Sequence, residues 1–119
     1  MTKSRFKYEF SFEHRQKESA RILTKYSDKI PIICEKANQR DLPDIEKNKY
    51  LVPNDITVGQ FIYVIRQKVK LKPEEALFLF IGGKIVSNSA LIGYIYETEK
   101  DADGFLYVQY SKENTFGFN

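Results

Sequence analysis

Apolar residues recur at two spacings along the chain. In "TVGQFIYVIRQKV", Val58, Phe61, Ile62, Ile65 and Val69 return every three or four positions, the spacing of one helix face, and Thr57 with Gln60 forms a capping box ahead of them. Ser19, Ile22, Leu23 and Tyr26 repeat that spacing less strongly in "SFEHRQKESARILTKY", where Ser11 is placed to cap the first turn. A short helical turn is expected from Arg5 to Tyr8, and a short helix in "SALIGYIYETEK". Glu74 and Glu75 follow Pro73, a combination that stabilises a helix start through its exposed N–H groups.

Four denser runs, "KIPIICEKA", "KYLVP", "ALFLFI" and "GFLYVQYS", are rich in β-branched and aromatic residues and predict strands. "GGK" and "DADG" predict turns, the second with Gly104 at positive φ. The order helix, strand, strand, helix, strand, helix, strand predicts an α+β fold, a four-stranded mixed sheet curled around the long helix. This is the outline of a ubiquitin-like β-grasp with an N-terminal helical extension. Residues 1–27 form the expected extension, 28–113 the core and 114–119 a flexible C-terminal tail.

A chain of 119 residues with 42% apolar and 14% aromatic content supports one core. The formal charge of +3 is uneven, because residues 1–29 carry eight Lys or Arg against four acids. Such a basic face attracts phosphates, anionic lipid heads or acidic peptides alike. Arg5, Lys7, Arg15 and Arg21 would be the nucleic-acid contacts, but the interleaved Glu9, Glu13 and Glu18 argue against that partner. No run approaches the length of a membrane-spanning helix and "MTKSRFKYEF" lacks the apolar centre of a secretory signal, so a cytoplasmic protein is expected, and a monomer.

Catalytic and metal chemistry find little footing. Cys34 lies in the apolar run "IPIICE" and reads as a core thiol, while His14 has no second histidine with which to build a metal site. "FIGGKIV" has Phe78 where a phosphate loop needs glycine and Ile85 where it needs a hydroxyl. "DADG" has Leu106 where a calcium loop needs glycine. No enzyme, cofactor or metal site is expected.

Two stretches invite a functional reading beside the ordinary one. In "KYLVP", Lys49 and Leu51 point to one side and Tyr50 and Val52 to the other, and Pro53 has no N–H to give to a neighbour, which suits a border strand. An extended peptide could pair with such a border and drop alternate side chains into pockets on either side; filling core on both faces is the alternative that the pattern by itself favours. The tail "NTFGFN" is ordinarily a frayed terminus. It also holds Gly117, whose lack of a Cβ lets its carboxyl group enter a narrow active site.

The motifs "FEHR", "RILTKYSDKIPIICEKA", "KYLVPNDITVGQFIYVIR", "DGFLYVQYS" and "ENTFG" resemble those of the autophagy ubiquitin-like modifiers, the group that includes the GABA-receptor-associated proteins, from about Phe6 to Gly117. The resemblance implies cleavage by a processing cysteine protease between Gly117 and Phe118, with Phe116 and Gly117 presented to its active site. It further implies transfer through activating and conjugating enzymes to phosphatidylethanolamine on autophagosome membranes. It implies a groove for receptor and adaptor peptides carrying an aromatic residue, two spacers and an aliphatic residue. The aromatic pocket would be Glu18, Ile22, Pro31, Ile33, Lys49, Leu51 and Phe105, and the aliphatic pocket Tyr50, Val52, Pro53, Ile56, Phe61 and Val64. The backbone of Lys49 and Leu51 would pair with the peptide, while Lys29, Lys47, Lys49 and Arg66 receive its acidic flank. Lys29 stands where arginine is common in the family, which turns a forked contact into a point charge. "GGK" and Ser11 also depart from the family's usual residues. A non-lipidated adaptor in vesicle trafficking or cytoskeletal attachment, using the same groove, is the other reading.

Overall fold

The structure, a computed structural model, describes residues 4–37 and 44–112. Its elements are α1 (Arg5–Glu9), α2 (Phe12–Lys25), β1 (Lys29–Lys36), β2 (Lys49–Pro53), α3 (Val58–Val69), β3 (Phe78–Ile81), β4 (Lys84–Ile85), α4 (Ile92–Glu99) and β5 (Leu106–Ser111). The strands form one mixed sheet in the order β2-β1-β5-β3-β4, with β1 and β5 parallel at its centre and the other pairs antiparallel.

The sheet has five strands and not the expected four. Gly82 and Gly83 take φ of 63° and 79°, the pair of positive values that a two-residue hairpin turn needs, so "GGK" folds Lys84–Ile85 back onto β3 as β4. No helix starts at Pro73. The following apolar run, from Leu77 on, is drawn into the sheet beside β5, and Glu75 serves a turn instead: its carboxylate accepts from the Lys72 N–H at 2.9 Å and pairs with Lys112 at 3.1 Å.

The helix starts follow their caps. Ser11 Oγ accepts from the His14 N–H at 3.1 Å, and both halves of the Thr57–Gln60 capping box are made. α4 has no side-chain cap; the carbonyls of Ile56 and Asn54 accept its first N–H groups from Ile92 and Gly93, each at 2.9 Å.

Strand alternation divides the apolar residues between two cores. Ile30, Ile32, Cys34, Tyr50, Val52, Leu79, Ile81, Leu106, Val108 and Tyr110 pack against α3 and α4 with Phe61, Ile65 and Ile92. A smaller cluster of Phe6, Ile22, Ile33 and Phe105, flanked by Tyr107, lies beneath α1 and α2. Cys34 is fully buried, and burial pushes its thiol pKa far up, as befits a core residue.

The loop from Asp101 to Gly104 ties the N-terminal helices to the sheet. Asp103 is fully buried and accepts from Arg15 Nε at 2.8 Å, from the Tyr107 hydroxyl and from the Phe105 N–H at 2.9 Å. Arg15 then donates through Nη1 to the carbonyls of Phe10, at 2.6 Å, and Lys7, at 3.2 Å, closing the C-terminal end of α1. Desolvation works against the Arg15 charge, yet its bond to Asp103 and the surrounding negative groups raise its pKa. Ser19 Oγ donates to the Asp103 carbonyl. Gly104 has φ of 93°, and a Cβ there would run into Ser19. Pro31 has no N–H to give the first rung of the β1–β5 ladder, and the Gly104 carbonyl accepts instead from the Tyr96 hydroxyl at 2.6 Å.

α2 is also pinned to the sheet border. The Glu18 carboxylate accepts from Arg21 at 2.8 Å and from Lys49 Nζ at 3.0 Å, and these two bonds lower its pKa to about 2.

Two predictions follow from these ties. Asp103→Ala leaves the Arg15 guanidinium buried without its partner and is expected to lower the unfolding free energy by about 3 kcal/mol or more, whereas Asp101→Asn, at the partly exposed Lys7 pair, costs less than about 1 kcal/mol. Urea unfolding at constant slope measures both, and an Asp103→Ala effect as small as that of Asp101→Asn would refute the clamp. Because the folded pKa of Glu18 is depressed, its contribution is fully present above the unfolded value of about 4.3 and is lost as pH falls toward about 2. Glu18→Gln is therefore expected to flatten the stability profile between those limits, which acid titration followed by circular dichroism will read.

Candidate functional site

β2 is a border of the sheet: it pairs only with β1 among the described strands. The phase of that ladder decides which backbone groups face outward. The Cys34 N–H donates to the Asn48 carbonyl at 2.8 Å, and Asn54 donates to the Asp28 carbonyl at 3.2 Å, so even-numbered residues here turn their backbone groups toward β1. Lys49 and Leu51 turn theirs away, and no described residue bonds them. The border thus offers two N–H donors and two carbonyl acceptors to an incoming chain. Pro53 ends the row; its carbonyl accepts from Ile56.

Side chains of this strand belong to different surroundings on its two sides. On the α2 side, Lys49 lies opposite Ile33 and Leu51 opposite Pro31. Ile33 clusters with Ile22 and Phe105, and Glu18 is ion-paired with Lys49, so the fold brings all seven residues of the expected aromatic pocket to one place. Only part of that surface is open: Leu51 is 39% exposed, while Ile22, Ile33 and Phe105 are at 2%, 0% and 0%.

On the α3 side, Tyr50 meets the edge of the Phe61 ring at 5.9 Å, and Val52 and Ile56 pack in the same core. Pro53 closes the strand, and Val64, one helical turn beyond Phe61, is 38% exposed. These are the six residues of the expected aliphatic pocket. The Tyr50 hydroxyl is buried without a hydrogen-bond partner among the described residues, and burial pushes its pKa up to about 12.

The cations are spread out. Lys29 lies opposite Pro53 at one end of β2, and Lys47 stands over the Tyr50 ring, 5.5 Å from its centroid, before the other end. Arg66 donates to the carbonyls of Lys72 and Pro73, at 2.8 Å and 3.2 Å, shaping the turn after α3. Of the four N-terminal cations weighed for nucleic acid, Lys7, Arg15 and Arg21 are paired with Asp101, Asp103 and Glu18. Phe116, Gly117 and the bond to Phe118 lie outside the described residues. No described helix is long and apolar enough to cross a membrane, and no described group of three or more His, Cys, Asp or Glu is placed to hold a metal.

Sequence reading missed two contributors to this region. Phe6 joins the small cluster beside the border, and Arg15, read as a surface cation, is buried under it. Phe6 carried a weak signal as an apolar position in "RFKYEF"; Arg15 carried none, because its partner Asp103 is 88 positions away.

Comparison with known proteins agrees with this architecture. The family described as "Autophagy protein Atg8 ubiquitin like" matches residues 14–117. "Autophagy-related protein 8" of Mycosarcoma maydis is 58% identical over 115 residues, covering 97% of this chain and 98% of that protein. "Autophagy-related protein 8B" of Oryza sativa subsp. indica is 56% identical over 117 residues, covering 98% of each. Among solved structures, Trypanosoma brucei ATG8 superposes with a TM-score of 0.90 at 43% identity, covering 98% of this chain and 100% of that one. Plasmodium falciparum Atg8 in complex with a Plasmodium falciparum Atg3 peptide gives 0.88 at 36% identity, covering 96% and 100%. With the sheet, the helices and nearly the full length in agreement, the chain belongs to the Atg8 family of ubiquitin-like autophagy proteins.

Proposed function

We propose that this protein is a membrane-conjugated modifier of autophagy that holds receptor peptides along β2. A processing cysteine protease hydrolyses the Gly117–Phe118 bond and frees the Gly117 carboxylate. An activating enzyme joins that carboxylate to AMP from ATP, releasing pyrophosphate; an enzyme thiol then attacks the adenylate, AMP leaves, and enzyme thiols carry the acyl group as a thioester. The amine of phosphatidylethanolamine attacks, an amide forms and the thiol leaves. Noncovalent attraction cannot replace this bond: a charge of +3 gives weak, salt-sensitive binding, whereas acyl chains contribute about 0.8 kcal/mol per buried methylene. Cytoplasmic before conjugation, the protein then resides on autophagosome membranes.

The open border of β2 is the observation that carries the peptide-binding half of this reading. Two outward-facing residues, with a mostly buried aromatic cluster on one side and, on the other, the partly exposed Val64 beside the buried Tyr50, Val52 and Phe61, suit an extended ligand whose alternate side chains are an aromatic and an aliphatic residue. The complex of the Plasmodium falciparum relative with an Atg3 peptide supports peptide binding by this fold, and a conjugating enzyme as one partner.

Gly117→Ala, or deletion of Gly117, is expected to abolish the lipidated product in a reconstitution with the protease, the activating and conjugating enzymes and phosphatidylethanolamine liposomes. Undiminished lipidation would overturn the site. Leu51→Ala is expected to weaken receptor-peptide binding by about 1–2 kcal/mol while leaving the unfolding midpoint in place, since this side chain is partly exposed. Calorimetry that found equal affinities would remove the border from the binding site.

A further inference from the structure

We propose that Glu75 and Lys112 are a positioning pair for the C-terminal tail, fixing the point from which Gly117 is presented to the processing protease. The inference rests on the reading that the chain is cleaved after Gly117, and it gives two residues outside the groove a task in that step. β5 runs between β1 and β3; its last rung toward β1 joins Tyr110 to Lys36, and its last toward β3 joins Ser111 to Phe78. Lys112 comes next and is the last described residue, so its side chain is the final described hold on the chain before residues 113–119.

The carboxylate that takes this side chain is set in advance. Glu75 closes the turn after α3 on itself: its N–H donates to the Lys72 carbonyl at 3.0 Å, and one of its carboxylate oxygens accepts from the Lys72 N–H at 2.9 Å. Arg66 of α3 holds the same turn, donating through Nη2 to the carbonyls of Lys72 and Pro73. The other carboxylate oxygen accepts from Lys112 Nζ at 3.1 Å. An exposed ion pair ordinarily has to order two long side chains for one contact, which cancels most of the attraction. Here the turn has already ordered one partner, and the two side chains are only 29% and 24% exposed. The bond from Lys72 and then that from Lys112 lower the Glu75 pKa, which keeps the carboxylate charged at neutral pH.

The reach of the tail makes this hold matter. Gly117 lies five positions beyond Lys112, so it can stray at most about 18 Å from that point. A tether this short carries the placement of its root to its end. With Lys112 tied to the turn after α3, fewer directions are open to the tail before the protease binds, and less freedom is lost on capture. The tie acts equally before and during hydrolysis of the bond, so its loss raises KM and leaves kcat in place.

The test is hydrolysis of the full chain by the processing cysteine protease, followed by mass spectrometry of the released Phe118–Asn119 dipeptide. Lys112→Gln and Glu75→Gln are each expected to raise KM about threefold, the scale of a partly exposed ion pair, with kcat unchanged. Glutamine at position 75 can still accept from the Lys72 N–H, so the turn persists. The double variant should be no worse than either single one, because both remove the same bond, and Lys112→Arg, which keeps the charge, should stay near the unaltered KM. A KM that responds to Lys112→Gln but not to Glu75→Gln points to direct contact between Lys112 and the protease and overturns the pair. Unchanged KM in both variants, a loss confined to kcat, additive effects in the double variant, or an arginine variant as impaired as the glutamine one overturns it as well, and each leaves the processing reading intact. If the unaltered chain is not cleaved after Gly117, that reading falls and this inference with it.

Discussion

The buried pair of Arg15 and Asp103 is the constraint on which the arrangement of this molecule depends. A guanidinium and a carboxylate withdrawn from water are tolerated where hydrogen bonds replace hydration, and here those bonds link four segments. Arg15 reaches the carbonyls at the end of α1, while Asp103 takes the Tyr107 hydroxyl and the Phe105 N–H. Two helices with few apolar residues of their own are thereby seated on a sheet whose larger core lies on the opposite face. Without that seat the smaller cluster, and the surface beside β2 that it supports, would lose their cover.

The second determinant is the division of labour within β2. Its even residues, Tyr50 and Val52, are committed to the main core and hold the strand in register; its odd residues, Lys49 and Leu51, keep their backbone groups free. An open border therefore costs the fold little stability, because the groups left outward are those the sheet does not use. Glu18 and Arg21 complete the arrangement by placing a charged pair where α2 meets the border.

Much of this was legible in the residues. Periodicity located α2 and α3, and the capping box marked the start of α3 because such a cap is a local matter of four positions. "KYLVP" marked β2 to the residue, and Pro53 suggested its border position. The two-residue β4 was not legible, since its formation depends on the twist of a hairpin closed by Gly82 and Gly83 and not on strand propensity. The expected helix start at Pro73 failed because burial of Leu77 and the strand after it outweighed a local preference. The groove residues came from family resemblance, and the fold gathers the two pocket sets; Arg15 and Phe6 escaped because their significance lies wholly in partners distant along the chain.

The brevity of β2 has a further consequence. Exposed sheet margins are where protein molecules zip together into aggregates, and a long apolar margin would invite this. Here the usable stretch ends after two outward residues, one of them a lysine, and a proline stops it. The backbone groups left for pairing with a second copy are therefore few.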